Sequence, residues 1–119
     1  MELPKATLVA LGGMAGAAAR WGALELADGS AWALVAVNSL GAFVLGLVAH
    51  GLLRGRPDLR LVAGVGFCGA FTTFSTLAVD IARDLDRGAT GDAVLLLLVS
   101  LVAGLGAGSL GMRGRRRTP

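Results

Sequence analysis

Residues 66–77 read GFCGAFTTFSTL, and the rest of the chain is best understood outward from them. They sit inside residues 61–79, a run of 19 without Lys, Arg, Asp or Glu. That is about the length of helix needed to cross a hydrocarbon core roughly 30 Å thick. Near the centre of the run, at Ala70, begins a cluster of hydroxyls: Thr72, Thr73, Ser75 and Thr76. One hydroxyl in a membrane helix satisfies itself by bonding back to a carbonyl a turn earlier. A cluster at mid-depth asks for more partners than that. Gly64, Gly66 and Gly69 precede it, and glycine lets a backbone leave the helix while nearby hydroxyls take over the groups set free. The run is therefore expected to be an interrupted helix, whose bare carbonyls and amides can hold ions inside a membrane.

Other apolar runs flank this one. Residues 29–53 form a 25-residue stretch without charge, residues 93–112 another of 20, and residues 6–24 contain only Arg20. The expected architecture is an all-α membrane protein of four transmembrane helices, at about 5–26, 30–53, 60–81 and 92–112, in one membrane domain over 1–119 with a basic tail at 113–119. Composition agrees. Of the 119 residues 55% are hydrophobic and 16% charged, against roughly 25% charged in soluble domains. A soluble domain this small has too much surface to hide so much apolar material, and the mean hydropathy of +0.72 points the same way. The 19 glycines would weaken a soluble bundle but suit membrane helices that approach closely.

The net charge of +3 does not mark a nucleic-acid binder, because the basic residues flank apolar runs and are not interleaved with aromatics. With four crossings, Lys5, Arg54, Arg56, Arg60, Arg113, Arg115, Arg116 and Arg117 share one side, and Arg20, Arg83 and Arg87 the other. From this bias both termini are expected in the cytoplasm. The start, MELPKATL, lacks a small-residue cleavage site before Arg20, so the first segment is expected to be a retained helix.

A polar residue at mid-depth must find a partner or line a wet path. Asn38 lies about 4.5 Å from the centre of the second run at 1.5 Å per residue, the same depth as the hydroxyl cluster. Phe67, Phe71 and Phe74 recur at helical spacing, which ordinarily means packing. Beside hydroxyl and amide donors, however, the positive edge of a phenyl ring makes a weakly electropositive, uncharged lining suited to an anion. Glu25 and Asp80 stand at run ends, so no carboxylate lies deep enough to exchange protons with a substrate. No nucleophile triad, metal-ligand spacing or phosphate loop is present, and the chain is not expected to be an enzyme. Cys68 reads as a packing residue and His50 as an interfacial one.

Three segments resemble the small fluoride channels called Fluc or CrcB. GGMAGAAARW at 12–21 is similar to the family pattern GG-x-x-G-A-x-x-R-Y, and NSLGAFVLG at 38–46 to N-x-x-G-S-F-x-x-G. GFCGAFTTFSTL, the most specific, is close to G-F-C-G-G-x-T-T-F-S-T-F. The resemblance implies an antiparallel dimer with paired fluoride pores and a structural, non-transported sodium ion on the two-fold axis. It assigns the sodium-binding carbonyls to Gly69 and Thr72. By the same carry-over Asn38 donates its amide to fluoride, Phe74 offers a ring edge, Ser75 and Thr76 continue a polar track, and Arg20 lies at an aqueous mouth. Such a site fits fluoride, which is small and tightly hydrated. Neutral donors can replace its water, whereas a buried cation would hold it too tightly to release.

One position departs from the pattern, since Leu77 stands where the family has a second pore phenylalanine. Family members also occur as heterodimers of oppositely oriented paralogues, and the charge bias suits that arrangement better than a dual-topology homodimer. Two other readings compete. A small-multidrug-type proton-coupled transporter would need an acid in the first span, and residues 6–19 have none. A non-conducting membrane subunit that stabilises a paralogous channel partner would use the glycines only for packing.

Overall fold

The computed structural model describes residues 3–113, so the basic tail expected at 113–119 lies, apart from Arg113, outside the described residues. All regular structure among them is helical. Helix α1 spans Lys5–Leu26. It stops because Asp28 and Gly29 turn left-handed, at φ 56° and 67°. Their N–H groups return to the carbonyls of Glu25 and Leu24, at 3.1 and 2.8 Å, which satisfies the helix end. Ser30 then caps α2, Ala31–Ala49, by accepting from the Trp32 N–H. A turn through Gly51, Leu53 and Gly55, all at positive φ, leads to α3 (57–71). Pro57 opens α3 where its missing N–H costs nothing. The middle of α3, Leu61–Cys68, is wound as a π-helix between α-helical turns at Pro57–Arg60 and Gly69–Phe71. Helix α4 covers Phe74–Asp86 and α5 Thr90–Arg113.

Glycine contacts fix how the helices pair. Gly12 of α1 abuts the backbone of Val62 and Gly16 that of Phe67, so α1 and α3 advance together. Gly46 of α2 abuts Gly108 of α5, while Leu34 and Leu96 meet nearer the helix starts, so these two are also parallel. Parallel alternate helices joined by short turns are what a chain threading back and forth across a membrane must produce. The contacts also correct one expectation. Gly64, Gly66 and Gly69 do not release α3 from helical geometry, because all three lie within it. Gly66 is a point of close approach instead, where an added Cβ would stand 2.7 Å from the Val9 carbonyl oxygen.

Three segments are long and apolar enough to span a bilayer: Ala31–Ala49, Pro57–Asp86 and Thr90–Arg113. Helix α1 falls short in hydropathy, since Gly and Ala carry little apolar surface and Arg20 lies within it. Its 22 residues nevertheless rise about 33 Å, enough for a hydrocarbon core. The small core joins Leu34, Val35, Leu77 and Leu96, bordered by Leu24, Ile81 and Val99. Outside it, Leu40, Leu98, Leu101, Val102 and Leu105 lie exposed. Such a surface belongs in lipid or against another chain, and no buried charge is found among the described residues. The molecule is a helical membrane protein.

Candidate functional site

The helical path ends at Phe71 and resumes at Phe74. Thr72 (φ −85°, ψ 153°) and Thr73 (φ −149°, ψ 120°) between them are extended. In hydrocarbon each backbone group set free here must be satisfied, or it costs several kcal/mol. Asn38, on the neighbouring α2, meets both faces of the Thr73 residue. Its Oδ1 accepts from the Thr73 N–H at 2.8 Å, and its Nδ2 donates to the Thr73 carbonyl at 3.1 Å. Thr73 in turn caps α4, its Oγ1 accepting from the Thr76 N–H at 3.3 Å. Thr72 closes the other side, with its N–H and its hydroxyl both donating to the Cys68 carbonyl, at 3.1 and 3.0 Å. Gly41 of α2 makes room for this, since a Cβ there would strike the Thr72 methyl group and lie 3.3 Å from the Phe71 ring.

These bonds decide which oxygens remain available. An unbroken α-helix gives the N–H of residue i+4 to each carbonyl. The donor for Gly69 would be Thr73, which is held by Asn38, and the donor for Thr72 would be Thr76, which is held by Thr73. Both carbonyls thus lose their helical donors, as do those of Ala70 and Phe71 between them, whose donors would be Phe74 and Ser75. Gly69 is exposed, with nothing within 4 Å of where a Cβ would be, so this pair adjoins an open face of the molecule. Carbonyl oxygens are the kind of ligand that hard cations take, and two of them fill only part of such a shell.

The other expected residues divide. Ser75 and Thr76 are exposed on the first turn of α4, and Phe74 is 77% exposed at its start. Phe67 and Phe71, by contrast, stack on one another with centroids 5.5 Å apart. The three rings therefore do not form one stripe, because the extended residues re-aim the chain between Phe71 and Phe74. Leu77 is 6% exposed within the core. Asn38 spends its oxygen and one N–H on Thr73, which leaves one N–H free. Arg20 is half-buried on α1, one turn beyond the Gly16 contact. Gly41 went unnoticed in the sequence, and Thr73 stood out only as one hydroxyl of a cluster, with no role of its own. The spacing of Thr73 and Thr76 is a capping signal, but nothing in one sequence pairs Thr73 with Asn38.

A groove of about 740 Å³ opens at the other end of α2 and α3. Leu45, Val48, Gly64 and Val65 form its apolar wall, and Lys5, Asp58 and Arg60 line it near the helix ends. Leu45 and Ala49 follow Asn38 at two- and three-turn spacing, so the groove continues the face of α2 that carries the amide.

The break and the glycine contacts fall within residues 7–112, which match the family model described as CrcB-like protein, Camphor Resistance (CrcB). A protein of Synechococcus sp. strain CC9902 named fluoride-specific ion channel FluC 2 is 42% identical over 111 residues, 92% of this chain and 78% of that one. One of Thermus thermophilus named fluoride-specific ion channel FluC is 40% identical over 113 residues, 89% of this chain and 90% of the other. A third, fluoride-specific ion channel FluC 1 of Rhodococcus jostii, is 41% identical over 110 residues, covering 92% and 84%. Agreement at this level along nearly the whole membrane domain makes the chain a member of the CrcB family.

Proposed function

We propose that the chain forms a fluoride-selective ion channel that lets fluoride leave the cell passively, down its gradient, and so lowers cytoplasmic fluoride. The observation that carries this reading is the uncharged polar break at Thr72–Thr73, in a chain about 40% identical to proteins named as fluoride channels. Every donor around it is neutral. The free N–H of Asn38 and the hydroxyls of Ser75 and Thr76 can each replace a water of hydration. The N–H groups of Phe74 and Ser75 begin α4, where a helix has no internal acceptor for them. The exposed ring of Phe74 can turn its positive edge to an anion. Arg20 raises the local anion concentration at a mouth without entering the narrow part. Chloride is refused because a larger ion cannot share contacts this short.

The two freed carbonyls, Gly69 and Thr72, suit a structural sodium ion shared with a second chain. When bound, that ion supplies positive charge that pins the two broken helices together, and it is not transported. The complete channel is then an antiparallel dimer in the cell membrane, with four crossings per chain, α1 among them, and both termini of this chain cytoplasmic. The eight-to-three bias of basic residues favours one fixed orientation and hence an oppositely oriented paralogue as partner. Numbered names among the relatives, FluC 1 and FluC 2, are in keeping with the existence of paralogues. One observation favours a second reading, a non-conducting subunit that stabilises a paralogous channel. Leu77 packs in the core where the family pattern has a ring.

Fluoride flux separates the two. Replacing Asn38 or Phe74 in the assembled dimer abolishes fluoride efflux through a pore that they line. It leaves efflux intact if this chain is only a scaffold.

A further inference from the structure

Asn38 is the chain's one asparagine, and no glutamine accompanies it, so its side chain is the only side-chain amide in the molecule. That amide has three hydrogen-bonding elements of use here. The oxygen holds the Thr73 N–H at 2.8 Å, one nitrogen-bound hydrogen goes to the Thr73 carbonyl at 3.1 Å, and the other hydrogen remains. The first bond takes from the Gly69 carbonyl the donor it would have in an unbroken helix. The amide is planar, so the two bonds to Thr73 also fix the direction of the remaining hydrogen.

We propose that Asn38 couples a cation to an anion: the bonds that turn the Gly69 carbonyl free for a cation also aim the last amide hydrogen at fluoride, so each ion strengthens the binding of the other. This rests on the reading of the site as a fluoride pore with a cation at Gly69 and Thr72. Asn38 is on this view a positioning residue for the cation, through Thr73, as well as a donor to the anion. Linkage requires the effect to be equal in both directions. Without the clamp, Thr73 can return its N–H to Gly69, and the cradle closes.

A single side-chain amide makes the test direct. Protein labelled with ¹⁵N-asparagine, in detergent or nanodiscs with its dimer partner, gives one side-chain NH₂ signal with two inequivalent hydrogens. Exchanging N-methylglucamine for sodium is expected to shift the hydrogen bonded to Thr73, and fluoride to shift the other. The apparent fluoride affinity should tighten at least about fivefold in sodium, and the sodium affinity by the same factor in fluoride, the lower end of ordinary coupling between sites. Fluoride titrations that superimpose in the two cations, or an amide signal indifferent to sodium, overturn the proposal. Asn38→Leu supplies a second readout, since it should abolish the rise in unfolding temperature that sodium gives the wild type. A retained rise counts against the coupling. Should that variant fail to fold, the wild-type titrations decide alone. Sodium-dependent fluoride flux without coupling at Asn38 defeats this inference and leaves the channel reading standing. Coupled shifts without flux do the reverse.

Discussion

Asn38 and Thr73 stand 35 positions apart in sequence, yet their two hydrogen bonds hold open the polar centre of the molecule. The hydroxyl of Thr73 adds a helix cap. Thr73→Val, which keeps the shape and removes the cap, should lower stability by about 1 kcal/mol, whereas Thr73→Ser should keep most of it. Thermal unfolding in detergent measures both. Phe74 and Leu77 give a sharper contrast, being 77% and 6% exposed. Leu77→Ala should cost about 2–5 kcal/mol through the cavity it leaves in the core. Phe74→Ala should leave the unfolding temperature of the chain nearly unchanged and remove fluoride flux from the dimer. Asn38 and the hydroxyl cluster could be picked out in the sequence because a polar group at mid-depth in an apolar run is expensive. Thr73 could not be singled out among its neighbours, since only the packing of α2 against α3 reveals which backbone group Asn38 serves. For the same reason Phe67, Phe71 and Phe74 looked like one stripe. The spacing is helical, but the helix is not continuous where it matters.

At the level of helices, α1 and α3 touch backbone to backbone through Gly12, Gly16 and Gly66. Gly12→Ala and Gly16→Ala should each destabilise the fold by about 1–3 kcal/mol, because the new methyl group meets a carbonyl that cannot yield. Gly22→Ala, with nothing within 4 Å, should be neutral or stabilising by up to about 1 kcal/mol. Comparing the three unfolding temperatures checks whether the glycines serve packing. Charge-free runs indicated where helices lie, but not where each ends. Helix α2 stops at Ala49 and not at Leu53, because Gly51, Leu53 and Gly55 adopt positive φ and turn the chain. Helix α4 continues to Asp86, beyond its apolar run, as an amphipathic end bearing Arg83 and Asp84. The π-helical stretch over Leu61–Cys68 has no signal in hydropathy, which registers which residues are apolar and not how the backbone is wound.

For the whole molecule, Gly69 and Phe74 stand exposed beside the break, where the proposed dimer would place a second chain. If that chain is a paralogue of fixed opposite orientation, this chain expressed alone should yield little fluoride efflux, and co-expression should restore it. Rapid sodium-dependent efflux from this chain alone would argue for a homodimer. The most direct measurement is fluoride release from liposomes holding the assembled dimer, followed with a fluoride electrode beside a chloride control, for the wild type, Asn38→Leu and Phe74→Ala. Wild-type liposomes in sodium should lose fluoride and keep chloride, while both variants hold their fluoride. Chloride release that keeps pace with fluoride, or fluoride release undiminished by either substitution, would mean that the uncharged break is not a fluoride pore.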